Sequence, residues 1–381
     1  MVLSFEFVLA LTIVYGTNYM LIHLEKYGVP VLGIEILAGM IFGSFFGVLS
    51  PATPGYNLII SLAALGLMLI MFDAGLELDP SLLRDHAKVV SELGLMTFLV
   101  PFVAGVAFGI WLNLSIFAAV LIGITVSTTS LGLVHPLLEE FDLIEKEMGQ
   151  IILSVTVLND ILSVVALAYA LALTSGQIFQ SVASVTLALV FFLYIAPVHL
   201  SKWLSSLFQD TIFHHTVRFC MLTMVLFALI MEQVGIHAVL GSFFAGLLIA
   251  EISHKGHDIN QSMRPVTNLA APVFFFFVGM QLPVSEFPMD HLGLIGGVLA
   301  IGIGAKVIGA YIGSHWAGVR HDTEHLLVAA MPGRLSISVA AAEIGLRQGL
   351  IQQPLYYAFI ILSIISVFLS AIMFRIYAPE D

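Results

Sequence analysis

Charge is what this sequence has least of. Only 10% of its 381 residues are Asp, Glu, Lys or Arg, where soluble domains carry about 25%. Hydrophobic residues make up 59%. A water-soluble fold cannot hide that much apolar surface, because burial is limited by the surface-to-volume ratio of a domain. The chain is therefore expected to use lipid as its main solvent. Alternating polar and apolar residues are also lacking, which excludes a transmembrane barrel, whose strands alternate over roughly ten residues. The single cysteine, Cys220, excludes a disulfide framework and a cysteine-based metal or redox site. Basic charge is scarce as well: the formal net charge of −12 excludes a nucleic-acid partner, which needs a basic face. Met1 leads straight into an apolar run with no basic segment before it, so no removable signal peptide is expected.

What is present is a series of long apolar runs. They predict helices over 3–24, 31–49, 57–78, 88–112, 114–138, 148–174, 178–200, 216–234, 236–253, 266–282, 291–314, 326–347 and 354–376, thirteen spans in an all-α membrane protein. The basic residues support this number. Lys26, Arg84, Lys88, Lys146, Lys202, Arg218, Lys255, Arg264 and Arg320 follow odd-numbered spans, and Arg375 closes the last. Only Arg347 follows an even-numbered one, while Lys306 and Arg334 lie inside spans. By the positive-inside rule the N-terminus is outside and the C-terminus cytoplasmic, in a multi-pass protein of the cell (inner) membrane. An odd number of spans suggests two inverted six-helix repeats joined by a linker span. "GSFF" recurs at 43–46 and 241–244, in the paired second and ninth spans. The whole chain, 1–381, reads as one transmembrane unit with no soluble domain expected.

Against this background a few charges stand out. Asp160 sits mid-span in "VLNDILSVVA". A central Asp costs about 2.5–3.5 kcal/mol on insertion scales, so such residues usually face a partner or a wet cavity. A carboxylate there can hold a proton or a metal cation but not both, which is the minimum requirement for exchange. Asn159 precedes it and adds an amide oxygen. Neighbours on a helix point about 100° apart, so either Asn159 binds alongside Asp160 or it orients the site through hydrogen bonds. Lys306, in "GIGAKVIGAY", is also mid-membrane, and pairing with Asp160 would offset the desolvation of both. Arg334 interrupts the twelfth span just after Pro332 and Gly333, which weaken helical hydrogen bonding. The fifth span has its own weak point, "GITVSTTSLG", where Ser127, Thr128 and Thr129 can satisfy freed backbone groups. Spans five and twelve hold matching positions in the two halves, and matched interruptions point to a transporter's binding site. Asp160, Lys306 and Arg334 can balance the partial charges of the half-helix ends.

Other groups have weaker readings. Asp73 and Glu77, in "LIMFDAGLELD", line a funnel or mark the membrane interface. Glu35 and Glu343 lie within a turn or two of a membrane face and are expected to snorkel to water. Phe274–Phe277 reads as packing, and Gly39, Gly43 and Gly47 as a ridge for close helix contact. Eleven of the thirteen histidines fall on the cytoplasmic side, among them His254, His257, His315, His321 and His325. They read as solvated loop residues or as a pH-sensing surface.

These residues carry a family resemblance that covers nearly the whole chain. "GIEILAGMIFG", "MLIMFDAGLELD", "GITVSTTSLGLV" and "FFFFVGMQL" are similar, in this order, to segments of the monovalent cation:proton antiporter-2 family, the sodium/proton exchangers and Kef-type potassium/proton systems. Ile34 stands where that family has a glycine. The resemblance implies an NhaA-type fold with two discontinuous crossing helices, working as a homodimer. It implies a core domain, about 57–174 and 266–347, moving against dimerisation or scaffold helices, about 1–49, 178–253 and 354–376. It makes Asp160 the ion-binding aspartate. An Asn-Asp pair is the pattern of electroneutral members, whereas a lysine at the place of Lys306 is commoner in electrogenic ones. The family's Pro-Arg-Gly-Glu is here "PGRLS", with the arginine shifted by one and the glutamate missing. Kef systems carry Gln-Asp and a nucleotide-binding domain, so the plain exchanger is favoured.

The sequence thus points to a secondary active antiporter exchanging Na+ or K+ for protons, electroneutral, with Asp160 contested between the two. Asn159, Ser127, Thr128 and Thr129 are the further oxygen ligands, since hard cations take oxygen. Lys306 and Arg334 compensate charge. No cofactor is called for and no enzyme is expected: there is no HExxH motif, and no second mid-membrane aspartate to form a dyad. The alternative is an uncoupled, Kef-type potassium efflux pathway, for which no carbonyl filter is visible.

Overall fold

The computed structural model describes residues 5–21, 31–44, 54–76, 87–144, 146–174, 182–183, 186–187, 216–233, 238–253, 259–281 and 289–378. They form fourteen α-helices: α1 Phe5–Leu21, α2 Val31–Ser44, α3 Pro54–Leu76, α4 Ala87–Trp111, α5 Ile116–Ser127, α6 Leu131–Glu140, α7 Glu147–Thr174, α8 Thr216–Gln233, α9 Ala238–Ser253, α10 Ile259–Met280, α11 Leu292–Ala317, α12 His321–Ala330, α13 Ser336–Arg347 and α14 Gln353–Tyr377. No strand occurs among the described residues. Seven of the helices, α3, α4, α7, α8, α10, α11 and α14, are long and apolar enough to cross a bilayer. The expected span 178–200 lies almost wholly outside the described residues, as do Glu77, Gly47, His254 and His257.

Most expected spans coincide with one helix. The fifth and twelfth do not. α5 stops at Ser127 and α6 starts at Leu131; α12 stops at Ala330 and α13 starts at Ser336. Two further departures have a common cause. α10 starts at Ile259, seven residues before the expected 266, and α12 at His321 rather than 326. Hydropathy marks where lipid begins, whereas a helix continues into water as long as its residues favour it. Arg264, His321 and His325 are therefore on helices and not in loops.

The close join between α4 and α5 is built from a left-handed Asn113, φ 56°, with Leu114 N–H bonded to Gly109 O. Asn tolerates this conformation better than most residues. Ser115 then caps α5, its hydroxyl accepting from Ala118 N–H.

Contacts divide the chain into two units. The first comprises Met1–Asn18, Leu37–Asp79 and Ala168–Gln281. Its helices approach through small residues, as expected where lipid leaves little hydrophobic drive between helices. A Cβ on Gly43 of α2 would stand 2.9 Å from Met280 Cα of α10. Phe274–Phe277 are all buried, as expected of packing residues. The second unit comprises Tyr19–Ile36, Pro80–Leu167 and Leu282–Asp381. It holds α4, α5, α6, most of α7 and α11–α14.

Candidate ion-binding site

Within the second unit the two helix breaks touch. Ser130 N–H donates to Gly333 O at 2.9 Å, and Thr129 Oγ1 to Met331 O at 3.3 Å. Ser127 and Thr128 turn their hydroxyls onto their own helix, to Ile124 O and Thr125 O. Hydroxyls thus satisfy backbone carbonyls near the end of α5, the cheap way to interrupt a helix in a dry interior. Ser127, Thr128, Thr129 and Ser130 are all buried.

Arg334 occupies the second break and is fully buried. Its Nη2 donates to Gly302 O of α11 at 2.7 Å, and its Nε to Pro332 O at 3.2 Å. A Cβ on Gly302 would stand 2.9 Å from Arg334 Nη1, so the guanidinium packs closely against this glycine. Nη1 itself has no acceptor among the described residues. The absence of the glutamate expected after Arg334 fits this: backbone carbonyls, and no carboxylate at hydrogen-bond distance among the described residues, hold the guanidinium.

Lys306 lies one turn after Gly302 on α11 and is also fully buried. Gly309 and Gly313 let this part of α11 lie against α4, since a Cβ on Gly309 would stand 2.7 Å from Met96 O. The Lys306 ammonium consequently reaches the next residue of α4, donating to Thr97 O at 2.9 Å and to Asn159 Oδ1 at 3.5 Å. Asn159 is fixed from its other side: Nδ2 donates to Thr97 Oγ1 at 2.9 Å and to Val155 O at 3.0 Å. The Thr97 hydroxyl in turn donates to Leu93 O at 2.8 Å. A hydroxyl can accept and donate at once, so these bonds are mutually compatible. Asp160, the next residue on α7, is 5% exposed. The charges of both Asp160 and Arg334 act on Lys306. One carboxyl group and two cationic side chains therefore share this buried region beside the breaks, in a setting where net charge is costly.

The residues expected at the site are thus brought together in two joined parts: Asn159, Asp160 and Lys306, and the breaks with Ser127, Thr128, Thr129 and Arg334, with α11 linking them through Gly302. Thr97 was not singled out from sequence, although it touches both Asn159 and Lys306.

A sequence profile described as "Sodium/hydrogen exchanger, transmembrane" matches residues 8–378. The chain belongs to that exchanger family. It is similar to the Probable Na+/H+ antiporter 3 of Methanocaldococcus jannaschii, with 26% identity over 92% of this chain and 91% of the relative. It is also similar to the Na+/H+ antiporter of Enterococcus hirae, with 25% identity over 93% of this chain and 94% of the relative. Among solved structures, the sodium proton antiporter MjNhaP1 of M. jannaschii superimposes with a TM-score of 0.70 over 98% of both chains at 17% identity, a likeness of fold.

Elsewhere in this exchanger-family chain, Asp73 is half-buried near the end of α3 in the first unit, where the charge of Arg264 on α10 acts on it. Glu77 lies outside the described residues. Glu35 and Glu343 do not snorkel: each is 2% exposed. Glu343 is held instead by Arg347 one turn on, Nε to Oε1 at 2.6 Å, and it is the arginine that reaches outward. Two of the histidines gather on one buried acid, and a third lies beside them. His315 and His321 approach Glu324 at 3.6 and 3.4 Å, and His325 stacks on Tyr377 at 5.0 Å, along a groove of about 690 Å³.

Proposed function

We propose that this family member is a secondary active antiporter that exchanges Na+ or K+ for protons across the cell membrane, one for one. The observation that carries the reading is the clustering of Asp160 and Asn159 with two fully buried cations at the point where two interrupted helices meet. Asp160 is the contested seat. With a proton on it, or with a metal cation beside it, the surroundings keep the same net charge, so the site can cross the membrane in either loaded form. Asn159, Ser127, Thr128, Thr129 and carbonyls freed at the breaks supply the remaining oxygen ligands. Lys306 and Arg334 compensate charge, and Lys306 takes the place of the cation when none is bound. Asp73 and Glu77 belong to a funnel that gathers cations.

On this reading the two halves are inverted repeats. A core of about 57–174 and 266–347 moves against scaffold helices that form a homodimer in the inner membrane. The N-terminus is outside and the C-terminus cytoplasmic. The matching profile, the antiporter names of the relatives and the fold shared with MjNhaP1 support cation/proton exchange. The Asn-Asp pair supports electroneutrality.

The test is reconstitution into proteoliposomes with Na+, K+ and Li+ compared, with and without a clamped membrane potential. Cation-dependent dequenching of a pH dye, unchanged by the clamp, is the expected result. Exchange that follows the clamped potential would remove electroneutrality. Cation current without proton movement would instead favour a potassium efflux pathway and overturn the proposal.

A further inference from the structure

Thr97 gives up its backbone carbonyl to Lys306, and the sequence explains why that carbonyl is available. In a continuous helix the Thr97 oxygen would accept from the N–H of residue 101. Residue 101 is proline, buried inside α4, and has no N–H to give. A carbonyl left without its helical donor in a dry interior is costly until another donor reaches it. The donor that reaches it is an ammonium, at 2.9 Å. Charge-assisted bonds of this kind are among the stronger ones. The α4–α11 contact at Gly309 and Gly313 sets the distance. The Thr97 hydroxyl meanwhile holds Asn159 Nδ2, so that Oδ1 is the atom turned to Lys306.

We infer that Pro101 and Thr97 form a resting berth for the Lys306 ammonium, an acceptor pair of Thr97 O and Asn159 Oδ1 that keeps Lys306 beside Asp160 without committing it there. Pro101 is then a positioning residue: it touches no ion, and it sets how hard Lys306 competes with the transported cation for Asp160. The inference rests on the exchanger reading above, in which Lys306 and the cation alternate at Asp160. Pro101 costs α4 one rung of its ladder, and the bond from Lys306 to Thr97 O offsets that loss.

Pro101→Ala tests this without endangering the fold, since it restores a helical hydrogen bond. The new N–H competes for Thr97 O, and Lys306 shifts its weight onto Asp160. The cation must then displace a more firmly held lysine. Cation binding, followed through the thermal stabilisation of purified protein by Na+ or K+, is expected to weaken about three- to tenfold, the ratio that one net hydrogen bond represents. Pro101→Gly, which also has an N–H, should give the same shift. In a Lys306→Gln background, Pro101→Ala should give none. An unchanged midpoint in Pro101→Ala overturns the inference, and so does an equal shift when residue 306 is glutamine. If neither cation stabilises even the wild-type protein, it is the exchanger reading that fails, and the berth falls with it.

Discussion

Asp160→Asn is expected to bring cation-driven proton movement in proteoliposomes down to the level of protein-free vesicles. The side chain keeps its shape, so the helix and its neighbours have no steric reason to move. What it loses is the capacity to carry a negative charge or to bind a proton, and each half of an exchange cycle needs one of these. The substitution also leaves Lys306 and Arg334 facing each other's charge without the carboxylate that acts on Lys306. Two buried basic side chains that lose the nearby negative charge are costlier to keep out of water. A fall in thermal midpoint should therefore accompany the loss of transport. Asp160→Glu separates the two effects: it retains the carboxylate, displaced by one methylene, and should recover stability with reduced exchange. Appreciable exchange by the asparagine variant would refute the mechanism.

Gly333→Val is the second large effect, and it tests the contact between the breaks and not the ion. Gly333 O accepts from Ser130 N–H, the backbone bond that joins one break to the other. A Cβ at this position would stand 2.9 Å from Ser370 Oγ and closer still to Leu133. Ser370 cannot simply turn away, because its hydroxyl is engaged with Ala329 O at 2.7 Å at the end of α12. Overpacking of this kind costs about 1–3 kcal/mol, and losing a buried hydrogen bond about 1 kcal/mol more. The valine variant should lose thermal stability by about 2–4 kcal/mol, with transport falling alongside it. Gly333→Ala should show the same direction on a smaller scale. Wild-type stability and transport in the valine variant would mean that the two breaks do not depend on their contact.

Much of the site was legible because lipid makes polar residues conspicuous. Asp160, Lys306 and Arg334 stood out as charges in apolar runs, and all three are buried in one region. The interruptions were legible too, from Pro332-Gly333 and the hydroxyl run 127–130, because both patterns weaken the same hydrogen-bond ladder. Thr97 was missed for the opposite reason. A single threonine in an apolar helix normally bonds back to its own preceding turn, as Thr97 also does. The signal was in the pair: a threonine followed four residues later by a proline marks a carbonyl with no helical donor, next to a hydroxyl that can fix a neighbour. Glu343 was misread because its distance from the membrane face was weighed and the arginine one turn on was not. The early starts of α10 and α12 were invisible to hydropathy, which reports the edge of the bilayer and not the end of a helix.

One binding measurement reaches the central claim without requiring a complete transport cycle. Purified protein in weakly buffered detergent solution, held near the pH at which the site is half-protonated, is titrated with Na+ or K+ while released protons are counted. The account predicts that the cation expels a proton from the wild-type site, that the two ligands compete as pH is varied, and that Asp160→Asn releases none. Saturable cation binding with no proton released at any pH, or full release from the asparagine variant, would contradict it.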